Sequence, residues 1–178
     1  QFSDHDLLRS AITHRSYLNE HKEVTWDHNE RLEFLGDAVL ELVVTDFLFK
    51  KYTEKPEGEL TAVRAALVNT VSLSAASEAL GVNEFLLMSK GEAKDMGRAR
   101  QYILANTFEA CIGAIYMDQG YDAAQVFIAA HLFPKTEEIV EKKLSQYKEK
   151  EYKIQHLKMF IDKYARKEPK EEVEELVE

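Results

Sequence analysis

Asn29-Glu30-Arg31-Leu32-Glu33-Phe34-Leu35-Gly36-Asp37-Ala38-Val39-Leu40-Glu41 is the stretch that decides how this chain folds. Its period is helical. At 100° per residue, Glu30, Glu33, Asp37 and Glu41 fall within about 80° of one another. Between them run Leu32, Leu35, Val39, Leu42 and Val43, which ask for burial on the opposite side. Like charges three and four residues apart repel by about a few tenths of a kcal/mol per pair, so a cation or a basic partner is expected to offset them.

Outward from this stretch the same period recurs, strand-like alternation is scarce, and only Pro56, Pro134 and Pro169 interrupt it, so the expected fold class is all-α. A first helix is expected from about Asp4 to Leu18, capped by Ser3, and the acid-bearing helix from about Asn29 to Tyr52. Thr53 to Gly58 reads as a turn, because Pro56 fixes φ and Gly58 is permissive. Helices follow from about Glu59 to Val68 and from about Thr70 to Leu80, the latter stopped by Gly81. Val82 to Met88 reads as a short apolar helix, and Ser89 to Arg100 as a polar loop rich in basic residues. Tyr102 to Met117 is apolar enough for a central buried helix, with another from Asp122 to Leu132. Ile154, Leu157, Ile161 and Tyr164 mark one more, before the acidic run Glu171 to Glu178. The expected division is a main domain over residues 1–143 and a charged helical extension over 144–178.

A chain of 178 residues with 45% hydrophobic and 31% charged residues is composed like an ordinary globular protein, and no window approaches the uninterrupted apolar length a membrane helix needs. The start shows no leader pattern. Cys111 is the sole cysteine, which rules out an internal disulfide and, with the missing leader, points to the cytoplasm. The six histidines have no HxxxH or HExxH spacing, so a zinc site is not expected. The formal net charge of -9 speaks against broad affinity for nucleic acid, yet allows a local basic groove.

Within the buried helix, Asn106 and Glu109 share a face with Ala105, Phe108 and Cys111, and a charged Glu in such company needs a partner. If that helix packs on the acid stripe, Glu33, Asp37, Asn106 and Glu109 converge as an all-oxygen cluster. Such a set suits Mg²⁺, with substrate phosphate completing the shell. Gly36 and Gly113 read as allowing close helix packing, and Cys111 as a small core residue.

Four ordered blocks carry a resemblance. Glu30 to Leu40 is similar to the signature of the ribonuclease III family, and Ile103 to Ala110 with Gly113 to Tyr116 resembles its second acidic motif. Thr13 to Tyr17, and Glu57 to Leu60 with Arg64 and Ala65, resemble two further blocks. The likeness spans roughly Phe2 to Lys143. It implies a homodimeric helical endonuclease domain that hydrolyses phosphodiester bonds of double-stranded RNA with Mg²⁺, or Mn²⁺ in its place. Staggered ends, 5'-phosphate products and a role in RNA maturation belong to the same implication. By motif position, Glu33, Asn106, Glu109 and Asp37 would hold metal, with Asp37 and Glu109 catalytic, and Glu30 and Glu57 would form an outer acidic set. Phe34 would be an aromatic knob at the dimer interface. Candidate RNA contacts are His14, Arg15, Arg64, Lys90, Lys94, Arg98 and Arg100.

Two positions depart from the family. Asn106 stands where Asp is usual, which keeps an oxygen ligand but removes a negative charge, so weaker metal affinity is expected. Family members also commonly append a double-stranded-RNA-binding domain. Glu151 to Leu157 resembles the start of its first helix, and the residues that follow are too few for the rest. Two rival readings stand beside the enzyme: a non-cleaving homologue that binds structured RNA, and a helical scaffold whose acids simply pair with Lys or Arg.

Overall fold

The computed structural model describes residues 2–94 and 96–165, and for residues 135, 144, 147 and 162–165 the backbone only. Pro169 and the acidic run lie outside the described residues. Among the described residues seven α-helices follow one another: α1 (His5–Ala11), α2 (Arg15–Glu20), α3 (Glu30–Lys51), α4 (Glu57–Leu67), α5 (Thr70–Ala79), α6 (Arg98–Leu132) and α7 (Thr136–Ala165). The all-α expectation holds, with a single isolated parallel bridge between Thr13 and Leu87 among the described residues.

Helix α6 is the axis. Its packing against α3 is the most extensive in the molecule, α5 and α1 also pack on it, and α4 leans on α7. Val39, Leu40, Val43, Val44 and Leu48 of α3 meet Ala105, Phe108, Ile112, Ala124 and Ile128 of α6 in the main core. Glycine makes that contact possible. A Cβ at Gly36 would overlap the backbone carbonyl of Glu109, and one at Gly113 would overlap that of Leu32. The two backbones therefore touch, as the pair of glycines led us to expect.

Several boundaries differ from expectation, each for a visible reason. The first helix is two, because the backbone at Ile12 and His14 bonds to Leu87 (Leu87 N to Ile12 O 2.9 Å, His14 N to Leu87 O 2.8 Å) instead of continuing the helix. Its cap is Asp4, which accepts from the Asp6 amide, and not Ser3. The same ladder extends Leu87, so the expected helix from Val82 to Met88 shrinks to a 3₁₀ turn, Val82–Glu84. Helix α4 begins at Glu57, inside the expected turn, with Glu57 and Glu59 favourably placed in its first turn. The two expected helices around Gly120 are joined as α6, kinked where Gly120 takes φ 82°. Leu42, expected inside, is 58% exposed. Helix α7 starts well before Ile154 and runs unbroken across residue 143; Val140 is buried in the core, whereas Tyr152, Ile154 and Leu157 are exposed.

Candidate active site

The glycine crossing determines which side chains meet. Glu33 and Asp37 flank Gly36 on α3, while Asn106 and Glu109 lie two turns and one turn before Gly113 on α6. The Asn106 side chain hydrogen-bonds Glu33, and Glu109 feels the charges of Asp37 and Glu33. The four expected oxygen donors therefore share one neighbourhood.

Its electrostatics are unfavourable as it stands. Burial first, then Asp37 and Glu33, push the Glu109 carboxyl up to about 7. Burial and Glu30 likewise raise Glu33, with Asp37 adding to the shift and the Asn106 hydrogen bond opposing it. The outer acids of the same stripe are differently placed. Arg15 lies 3.3 Å from Glu30 and Arg64 Nε 3.0 Å from Glu41. No ion pair among the described residues includes Glu33, Asp37 or Glu109. Nor are three His, Cys, Asp or Glu side chains there already gathered closely enough to hold an ion. In kind and charge the donor set fits a hard divalent cation, and the side chains would have to draw inward to close on one.

The remaining candidates fall in several places. Glu57 accepts from Thr61 Oγ1 at 2.7 Å and lines a cavity of about 470 Å³ with Thr45, Phe49 and Arg64. Thr45 is eight residues beyond Asp37, roughly 12 Å along the helix, so Glu57 stands apart from the acid cluster of its own chain. His14 caps α2 by accepting from Ser16 N, and burial lowers its pKa. Arg15 and Arg64 are engaged with α3 acids, and Arg64 also donates to Thr45 Oγ1 at 3.0 Å. Lys90, Lys94 and Arg98 are exposed, with the Arg98 guanidinium over the Tyr102 ring. Arg100, grouped with them from sequence, is instead buried at 8% exposure.

Phe34 is 81% exposed, and sequence reasoning missed its companions Ala38, Leu42 and Phe49. They lie about 160–240° around α3 from Gly36, a second apolar stripe beside the acids. Its signal was available: α3 carries more apolar residues than one core-facing stripe can use.

A family pattern described as ribonuclease-III-like matches residues 4–136. A ribonuclease 3 of Bacillus licheniformis is 49% identical over 138 residues, covering 78% of this chain and 55% of that protein. One from a Geobacillus strain is 51% identical over 137 residues, covering 77% and 56%. The chain thus spans about half the length of these curated relatives. Among solved structures, the nuclease domain of ribonuclease III from Campylobacter jejuni, described with flexibility in a region involved in dimer formation, matches with TM-score 0.65 and 40% identity, covering 80% of this chain and 90% of that one. Dicer from Pichia stipitis matches with TM-score 0.55 and 29% identity, covering 76% and 57%. With both acidic motifs meeting at one helix crossing and the match running through nearly all of α1 to α6, the chain belongs to the ribonuclease III family.

Proposed function

We propose that this chain carries the catalytic domain of a divalent-metal-dependent endoribonuclease that hydrolyses phosphodiester bonds of double-stranded RNA and acts as a homodimer in the cytoplasm. The observation that carries the reading is the trio Glu33, Asp37 and Glu109: carboxylates drawn together at the α3–α6 crossing with no basic partner among the described residues. A folded protein keeps such a group when a cation or a reacting substrate uses it. The scaffold reading predicts basic partners for every acid, and only the outer ones have them.

Glu33, Asp37, Asn106 and Glu109 are the residues that would hold Mg²⁺, or Mn²⁺ in its place. When bound, the ion supplies an activated water and compensates charge on the phosphodiester. Asn106 would offer its carbonyl oxygen to the ion, and its amide nitrogen could still donate to Glu33. Without an ion, burial and the neighbouring carboxylates push Glu109 up to about 7, so a divalent cation held there would take the place of its proton. Glu30, joined to Arg15, forms the outer edge of the acids, with Glu57 the more distant member of that outer set.

Duplex RNA would be held by phosphate and 2'-hydroxyl contacts from the exposed cations Arg15, Lys90, Lys94 and Arg98, with His14 and Arg64 at the margins. A second copy covering Phe34, Ala38, Leu42 and Phe49 would bury an apolar stripe that adjoins the acids. Two centres cutting one strand each give staggered ends with 5'-phosphates, a product suited to RNA maturation. Residues 1–143 form the catalytic unit in this reading, and α7 leads into the extension, 144–178.

The test is incubation of a long RNA duplex with purified protein. Discrete cleavage in Mg²⁺, absent in EDTA and with Glu109→Gln, is expected; cutting that survives both changes refutes the proposal. Asn106, one charge short of the family's usual Asp, gives a second reading its footing. A duplex bound tightly but left whole in Mg²⁺ would make the chain a structured-RNA-binding homologue.

A further inference from the structure

Arg100 lies in the first turn of α6, beneath the loop that carries Lys90 and Lys94 and two residues after Arg98, which opens the same helix. The residue is 8% exposed, and its guanidinium has no carboxylate partner among the described residues. Nη1 lies against Met88 Sδ, Nη2 donates to the Ala93 carbonyl at 3.0 Å, and Nε has no hydrogen-bond partner. A buried cation whose described neighbours are a thioether and a carbonyl, not a carboxylate, is costly, and an apolar side chain of similar length would fold at less expense. What the guanidinium adds is a fork with one arm at the start of the loop and the other in its middle.

The rest of the loop shows why that matters. Its entry is fastened to α2, where Ser89 N donates to Ser16 Oγ at 3.0 Å and Lys90 N to Glu20 at 3.3 Å. Beyond that point the 3₁₀ turn Glu92–Lys94 bonds mainly within the loop, Ala93 N to Ser89 O and Lys94 N to Gly91 O. Among the described residues, the Arg100 bond to Ala93 O is the hydrogen bond that ties this turn to a helix. The lysines beside it are free to face solvent because the turn's backbone is held from within.

We propose that Arg100 is a positioning residue for RNA binding: it anchors the basic loop from inside so that Lys90, Lys94 and Arg98 meet phosphate together, and it does not touch RNA itself. The inference rests on the reading of the chain as a duplex-RNA enzyme.

A double-mutant cycle in the full chain separates the roles. Duplex-RNA binding is measured in EDTA for wild type, Arg100→Met, the stripped loop Lys90→Ala/Lys94→Ala/Arg98→Ala, and the combination. Arg100→Met should weaken binding about tenfold in the natural loop and less than about twofold in the stripped one, because an anchor has nothing left to present there. Arg100→Lys should restore part of the loss. In Mg²⁺, KM for duplex should rise with kcat held within about twofold, a split that a general loss of folded protein would not give. Amides of residues 89–94 should exchange faster in Arg100→Met while those of α3 stay protected.

An undiminished loss in the stripped loop would show that Arg100 contacts RNA directly and overturn the proposal. Unchanged exchange of the loop amides would overturn it as well. Should Arg100→Met fail to fold, Arg100→Lys carries the same cycle, since it keeps the charge and loses the fork. Wild-type protein that binds no duplex at all refutes the functional reading, and the exchange rates then judge separately whether Arg100 holds the loop.

Discussion

Helix α3 presents one residue type under two electrostatic regimes. Glu30 and Glu41, the outer acids, each have an arginine within ion-pair distance and remain partly exposed. Glu33 and Asp37 face α6 between them, where Glu109 adds a third carboxylate and no arginine among the described residues pairs with it. The outer pairs are surface interactions of the kind worth about 0–1 kcal/mol. The inner group raises the proton affinity of Glu33 and Glu109, so a positive charge entering there would relieve the repulsion. Packing against α6 sets the contrast, because all of these acids belong to one stripe of sequence.

The largest expected effect comes from removing the crossing that creates the inner group. Gly36→Ala should cost more than about 3 kcal/mol, at or beyond the usual range for overpacking, because the new Cβ meets backbone that cannot step aside. Urea denaturation measures this, and an unshifted midpoint would mean the helices are not in backbone contact.

Next comes a pair of matched substitutions on the acids. Glu109→Gln should lower duplex cleavage by more than about 100-fold, above the 10–100-fold that outer-shell partners of a metal typically cost. Glu41→Gln, which loses only a solvated ion pair, should stay within about threefold. Equal losses in single-turnover rates would erase the distinction between inner and outer acids.

Asn106→Asp should lower the Mg²⁺ concentration for half-maximal cleavage, by roughly three- to tenfold, by adding a charge at the ligand set. In EDTA the same change should lower the melting temperature, since a fourth carboxylate joins the cluster. A metal titration with an unchanged midpoint would remove Asn106 from the ligand set.

A smaller effect is a pH dependence of stability in EDTA. Glu109 binds its proton with a pKa of about 7 when folded against an ordinary 4.5, so between these values the folded state holds a proton that the unfolded chain has released. Stability is therefore lost as pH rises through that window, and the penalty is complete above it. Relative to wild type, Glu109→Gln should gain a few degrees in melting temperature at pH 8 and almost nothing at pH 4. Saturating Mg²⁺ should cancel the wild-type slope; a slope of the same size with and without the ion would argue against binding at this cluster.

Smallest of all, Arg15→Gln should change stability by less than about 1 kcal/mol, because its partner Glu30 is well exposed. A loss several times larger would place Glu30 among the inner acids.

Much of this was legible beforehand. The acids of α3, the Asn106 and Glu109 pair and the two glycines could be set in register by the 100° turn of a helix, and the ordered blocks said which helix should meet which. Other features hid because they depend on neighbours far along the chain. Ile12 to His14 looked helical, but Leu87 claims its backbone. Leu42 looked like core, yet points away from α6 with Phe34 and Phe49. Arg100 looked like one more surface cation in a basic loop until the fold closed over it.

By itself, then, the amino-acid order determined the helical class, the facing of each stripe and the presence of an oxygen-rich motif on two separate helices, since these follow from geometry within a single turn. Tertiary structure alone decided which acids acquire an arginine and which are left to repel one another. That choice depends on where α3 and α6 touch, and on desolvation at the contact, neither of which any local spacing contains.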